Sequence, residues 1–135
     1  MRFAIAGAGA VGAWMGAHMA RAGLDVTLLA RGAGYAAIAS RGVRVLDAEG
    51  EWEARPGVSE SSLAIGPVDA LFLAVKAHSL PALAPSLGPM LGPETAVVSL
   101  QNGVPWWYFP ETRLERLGKL FLQMLAEEPS LVQRI

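Results

Sequence analysis

The chain has 135 residues, 53% of them hydrophobic, which suffices for one domain with a sizeable buried core but not for two. Its formal net charge of −1 gives no electrostatic footprint for a nucleic-acid partner. With no cysteine and only two histidines, His18 and His78, it offers no disulfide framework, no thiolate nucleophile and no histidine-rich metal site.

Residues 2–7 read as a short buried strand, an apolar run bounded by glycine. The loop Gly7-Ala8-Gly9-Ala10-Val11-Gly12 follows, and residues 10–22 read as a helix closed by Gly23 at its C′ position. A charged start followed by an apolar run also mimics an export signal. Glycines at 7, 9, 12 and 16, with His18 and Arg21, interrupt that run. The apolar stretch is also shorter than the ~20 residues a membrane span needs. The expectation is therefore strand, loop and helix, with no membrane partner and a cytoplasmic setting.

Residues 25–30 (DVTLLA) form a second strand, and residues 33–40 a short helix stopped near Gly42. Residues 43–47 (VRVLD) alternate and pair with 52–55 in a predicted hairpin, with Glu49-Gly50 at its turn. Pro56 to Ser62 reads as a loop, and residues 69–75 (DALFLAV) as a buried strand. Residues 79–91 are expected to be helical, with Pro81 tolerated in a first turn, Pro85 kinking or breaking the helix, and Pro89 complicating it further. Residues 95–100 (TAVVSL) make another buried strand. In residues 110–135, Leu114, Leu117, Leu120, Phe121, Met124 and Leu125 recur at helical spacing, which predicts an amphipathic helix ended by Pro129.

Strands alternating with helices predict an α/β fold with a doubly wound, mostly parallel sheet. The expected order is 3-2-1-4-5, with a ligand crevice at the carboxyl ends of strands 1 and 4. The G-x-G-x-x-G loop after the first strand makes the fold Rossmann-type. Gly7 allows the sharp turn, Gly9 the close approach of a pyrophosphate, and Gly12 tight packing of helix on sheet. Ala10 and Val11 complete the binding loop, and the helix N terminus offers unpaired N–H groups to the anion.

Nucleotide choice is set at the end of the second strand. An acid there, about 20 residues past the loop, usually bonds the ribose 2′-hydroxyl of NAD. This chain has Ala30-Arg31-Gly32, and its nearby acid, Asp25, begins the strand at the opposite end of the sheet. Arg31 stands where a 2′-phosphate would be, so the expected cofactor is NADP(H) over NAD(H). The plainer alternative is a solvated charge after a strand. Lys76 and Asn102 follow the later strands, at carboxyl ends where this fold binds ligands. Lys76 could meet cofactor or an anionic substrate, and Asn102 the nicotinamide ribose or substrate. A surface lysine and an Asn-Gly turn account for them equally well on spacing. His78 is a candidate ligand contact near the crevice, whereas His18 reads as a surface or packing residue and Trp14 and Met15 as helix packing residues.

The segments GAGAVGAWMG (7–16), VTLLAR (26–31), VKAHSL (75–80) and SLQNGV (99–104) occur in the order found in ketopantoate reductases, and the chain resembles that family over residues 1–109. The Trp106-Trp107-Tyr108-Phe109 run also resembles a branch of the wider family. The resemblance implies an N-terminal NADP(H)-binding domain of an enzyme that reduces 2-dehydropantoate to pantoate with NADPH, on the route to pantothenate and coenzyme A. It implies that Gly7, Gly9, Ala10, Val11 and Gly12 hold the pyrophosphate and Arg31 the 2′-phosphate. Lys76 and Asn102 would be cofactor-proximal, with Asn102 beside the reacting carbon and substrate. The family's catalytic lysine and a substrate-binding glutamate lie in a C-terminal helical domain, so no catalytic residue is expected in this chain. Residues 110–135 depart from the family pattern. They are expected to start a truncated second domain, to pack back on the sheet, or to form an oligomer contact. Two other readings stand: a non-catalytic NADP(H)-binding module, and a Rossmann dehydrogenase acting on another 2-oxo or hydroxy acid.

Overall fold

The computed structural model describes residues 1–48 and 50–102. The expected helix over 110–135, the Trp106–Phe109 run and Glu49 of the hairpin turn lie outside the described residues. In chain order the elements are β1 (Arg2–Ala6), α1 (Ala10–Arg21), β2 (Asp25–Leu29), α2 (Gly32–Arg41), β3 (Val43–Asp47), β4 (Gly50–Ala54), β5 (Gly57–Ser59), α3 (Ser62–Ile65), β6 (Ala70–Leu73), α4 (Leu80–Leu83) and β7 (Ala96–Ser99).

β1 runs through the middle of a parallel sheet of order β5-β2-β1-β6-β7. Its Ala4, Ile5 and Ala6 have no solvent exposure, which explains why this strand is a near-continuous apolar run. Successive side chains point to opposite faces and feed two cores. Ile5, Val26 and Leu28 join Ala17 of α1 and Val43, Val45 and Ala54 of the hairpin on one face. Ala4, Ala6, Leu71 and Leu73 join Ile65, Leu80, Leu87 and Met90 on the other. Cores on both faces are what a doubly wound sheet requires.

Counted along the chain, the sheet strands follow the expected order 3-2-1-4-5, but the third is β5, inside the stretch read as a loop. Three residues, Gly-Val-Ser, carry no periodic signal. Pairing with β2, Leu29 opposite Ser59, makes them a strand. The hairpin is present as a separate two-stranded sheet, with Val45 opposite Trp52.

The expected helix over 79–91 is broken. A 3₁₀ turn at 77–79 leads into α4, and further 3₁₀ turns cover 84–86 and 88–90. Pro81 sits in the first turn of α4, while Pro85 and Pro89 each open the next turn, because neither can donate to a continuous i→i−4 ladder. The apolar spacing survives the breaks, and Leu80, Ala84, Leu87 and Met90 are all buried. At the amino end of the sheet, the Arg2 guanidinium donates to the Ile65 carbonyl at 2.7 Å and the Pro67 carbonyl at 3.1 Å. Thr95, 2% exposed, donates its hydroxyl to the Val68 carbonyl and accepts from the Gly92 N–H at 2.8 Å.

Candidate functional site

At the carboxyl end of β1 the chain turns at Gly7, whose φ of +107° is open to glycine and strained for other residues. The Gly7 N–H donates to the Leu29 carbonyl at 3.1 Å, so the loop is tied to the end of β2. Gly12 is pressed against the same loop. A Cβ on it would lie 2.0 Å from the Gly7 carbonyl oxygen and 3.0 Å from the Ala74 Cβ. The glycine that seats α1 directly on a sheet side chain is Gly16, where a Cβ would be 2.8 Å from Leu28.

Gly9 differs from both. A Cβ there would meet nothing within 4 Å. It is the N-cap of α1, makes no side-chain capping bond, and no acid occupies the first turn of the helix. The first N–H groups of a helix lack intrahelical partners, so this end presents donors and a positive dipole to open space. An anionic group fits that arrangement, and the pyrophosphate of a dinucleotide is of the right charge and reach.

Two clefts flank the loop. One, of about 230 Å³, is lined by Gly7, Ala8, Ala30, Arg31 and Gly34 among others. The other, of about 410 Å³, brings together Gly9, Ala10, Val11, Lys76, Gln101 and Asn102. Val75 lines both. Of the predicted site residues, Gly7 and Arg31 line the first cleft and Gly9, Ala10, Val11, Lys76 and Asn102 the second, while Gly12 is buried and lines neither. Arg31 and Lys76 are exposed, and among the described residues neither side chain makes an ion pair or hydrogen bond.

Two residues were missed in the sequence. The Gln101 amide donates to the Val75 carbonyl at 3.0 Å and ties the end of β7 to the end of β6, between Asn102 and Lys76. Glu60, directly after β5, accepts from the Gly32 N–H at 2.9 Å and covers the N terminus of α2. Both contacts join residues more than 25 positions apart, which no local pattern reveals.

Other candidates lie elsewhere. His78 is exposed and lines neither cleft. Asp25 pairs with Arg2 at 3.8 Å, at the far end of the sheet as read. His18 packs between Trp14 and Trp52, with ring centroids 4.4 and 4.7 Å away. Trp14 itself is 53% exposed, so it covers His18 and does not enter the core. Among the described residues, no group of three or more His, Cys, Asp or Glu could hold a metal ion, and no helix is long and apolar enough to cross a membrane.

A sequence model of the ketopantoate reductase PanE/ApbA family matches residues 3–106. The chain belongs to this family. It is 42% identical over 110 residues to a 2-dehydropantoate 2-reductase of Mesorhizobium japonicum, a match covering 81% of this chain and 34% of that protein. Among solved structures it is similar to a PanE/ApbA family ketopantoate reductase from Ralstonia eutropha JMP134 (TM-score 0.71, 35% identity, 76% of this chain and 35% of the other). It is also similar to D-mandelate dehydrogenase in a ternary structure with NADH and anilino(oxo)acetate (TM-score 0.70, 29% identity, 77% and 34% covered). The chain therefore spans about a third of the length of these ketopantoate reductase relatives. The family match runs from β1 through Asn102, so it takes in both clefts and the glycine loop between them.

Proposed function

We propose that this chain carries the NADP(H)-binding part of a cytoplasmic 2-dehydropantoate 2-reductase, which reduces a small 2-oxo acid to pantoate in pantothenate and coenzyme A synthesis. The observation that carries the reading is the pair of clefts across one glycine loop, with Arg31, unpartnered among the described residues, in one and Lys76 and Asn102 in the other. In this reading Gly7, Gly9, Ala10, Val11 and Gly12 form the pyrophosphate cradle, its N–H groups preorganised by α1. The planar fork of Arg31 suits a 2′-phosphate dianion. The bound nicotinamide would supply the hydride. Asn102 would orient the nicotinamide ribose or the substrate, Lys76 would add positive charge beside them, and Gln101 would fix the spacing between the two strand ends. No residue from 1 to 102 is assigned the general acid that protonates the developing alkoxide.

Titration of the purified chain with NADPH and NADH, followed by tryptophan fluorescence, tests the cofactor. NADPH is expected to bind more tightly, and Arg31→Ala to weaken it about tenfold while leaving NADH within about twofold, as for one exposed charge-assisted contact. No NADPH binding, or a clear preference for NADH, defeats the assignment. NADPH oxidation by the full gene product with 2-dehydropantoate tests the substrate. A second reading, reduction of another 2-oxo acid, is favoured by the likeness to D-mandelate dehydrogenase, and a panel of 2-oxo acids in the same assay separates the two.

A further inference from the structure

The strand end that carries Arg31, the proposed 2′-phosphate contact, lies beside one that carries an anion, Glu60. β5 runs parallel beside β2, and the Ala30 N–H donates to the Ser59 carbonyl at 3.0 Å, so Arg31 and Glu60 leave adjacent strand ends side by side. The Glu60 carboxylate does not pair with the guanidinium. It accepts instead from the Gly32 N–H at 2.9 Å, at the first residue of α2. Arg31, the N-cap, supplies no side-chain capping bond of its own. Two neighbouring strand ends therefore carry Arg31, a cation with no partner among the described residues, and Glu60, a carboxylate that has taken a helix N–H a phosphate could have used.

We propose that Glu60 is a specificity-determining residue that offsets Arg31, so that the chain discriminates only weakly between nucleotides with and without a 2′-phosphate. This rests on the reading of Arg31 as the 2′-phosphate contact. A 2′-phosphate brings about two negative charges toward the carboxylate at neutral pH. A 2′-hydroxyl brings none, and can donate to a carboxylate oxygen.

The test compares wild type with Glu60→Gln, which keeps an oxygen acceptor for the Gly32 N–H and removes only the charge. Kd values for NADPH and NADH are measured by fluorescence titration at low and high salt. The variant is expected to bind NADPH about three- to tenfold more tightly at low salt, with NADH within about twofold, and the gain is expected to shrink as salt screens it. An unchanged Kd ratio, or one that moves toward NADH, overturns the role of Glu60 while leaving the cofactor reading intact. If wild type binds neither nucleotide, both fall. A thermal melt of the variant accompanies the titration. Because α2 buries none of its residues, an unchanged melt is expected, and a fall of more than about 5 °C with no gain for NADPH makes Glu60 a structural cap only.

Discussion

Two glycines of the glycine loop are expected to respond differently to the same substitution. Gly9→Ala places its Cβ in open space, at φ −70° and ψ −174°, a conformation alanine adopts freely. Alanine is a poorer N-cap than glycine by roughly 0.5 kcal/mol, and it stiffens the unfolded chain by a similar amount in the favourable sense. The two offset, so stability should stay within about 0.5 kcal/mol of wild type. Dinucleotide affinity should nevertheless fall at least about tenfold, because the methyl group projects where the pyrophosphate must approach the backbone. Gly12→Ala drives a Cβ to 2.0 Å from the Gly7 carbonyl oxygen, a backbone atom that no rotamer change can move aside. Overpacking at this severity costs about 3 kcal/mol, of which about 1 kcal/mol returns as helix propensity. The net loss of about 2 kcal/mol corresponds to a Tm about 7 °C lower for a chain of this size. Urea denaturation followed by circular dichroism, beside NADPH titration, reads both quantities. A Gly9→Ala protein destabilised by more than about 1.5 kcal/mol, or a Gly12→Ala protein as stable as wild type, refutes the reasoning.

Gln101→Leu should weaken NADPH binding about five- to tenfold, since the two strand ends that carry Lys76 and Asn102 lose their tie, while stability falls by only about 1 kcal/mol; fluorescence titration showing unchanged affinity would count against a positioning role. Thr95→Val leaves the Val68 carbonyl and the Gly92 N–H without their buried partner and should cost about 2 kcal/mol in urea unfolding. Thr95→Ser retains the hydroxyl and should cost less than half as much, and equal losses for the two variants would show that the methyl group contributes as much there as the hydroxyl.

β1, β2 and β6 were readable in the sequence because most of their residues are buried and so are written as near-continuous apolar runs; β7, read from the same kind of run as a buried strand, is an edge strand with Ala96 and Val98 exposed and Val97 and Ser99 half-buried. The geometry of the glycine loop was readable because its glycines answer to local sterics: the turn at Gly7 and the contact of Gly12 with it span six residues. β5 was not readable, because an edge strand of three residues is made by its neighbour and not by its own composition. The prolines at 81, 85 and 89 announced a broken helix, yet where each turn restarts depends on how Leu80, Leu87 and Met90 seat in the core. Arg31, Lys76 and Asn102 were legible as residues at strand ends. Glu60 and Gln101 act through contacts that only the folded topology creates, and Gly16, outside the G-x-G-x-x-G spacing, needed Leu28 in place to show its purpose.

The central position of β1 also has a temporal consequence. Its five residues leave the ribosome before every strand they pair with, and one edge can pair with β2 soon after. The other edge waits for β6, whose Ala70 pairs with Phe3, 67 positions earlier. At typical synthesis rates of ~5–20 residues per second, that edge of the central strand stays uncovered for roughly 3–13 s. A nascent chain of this family is thus most open to misassociation, and most in need of a chaperone's shelter, between the emergence of its glycine loop and that of the strand that covers the other edge of β1.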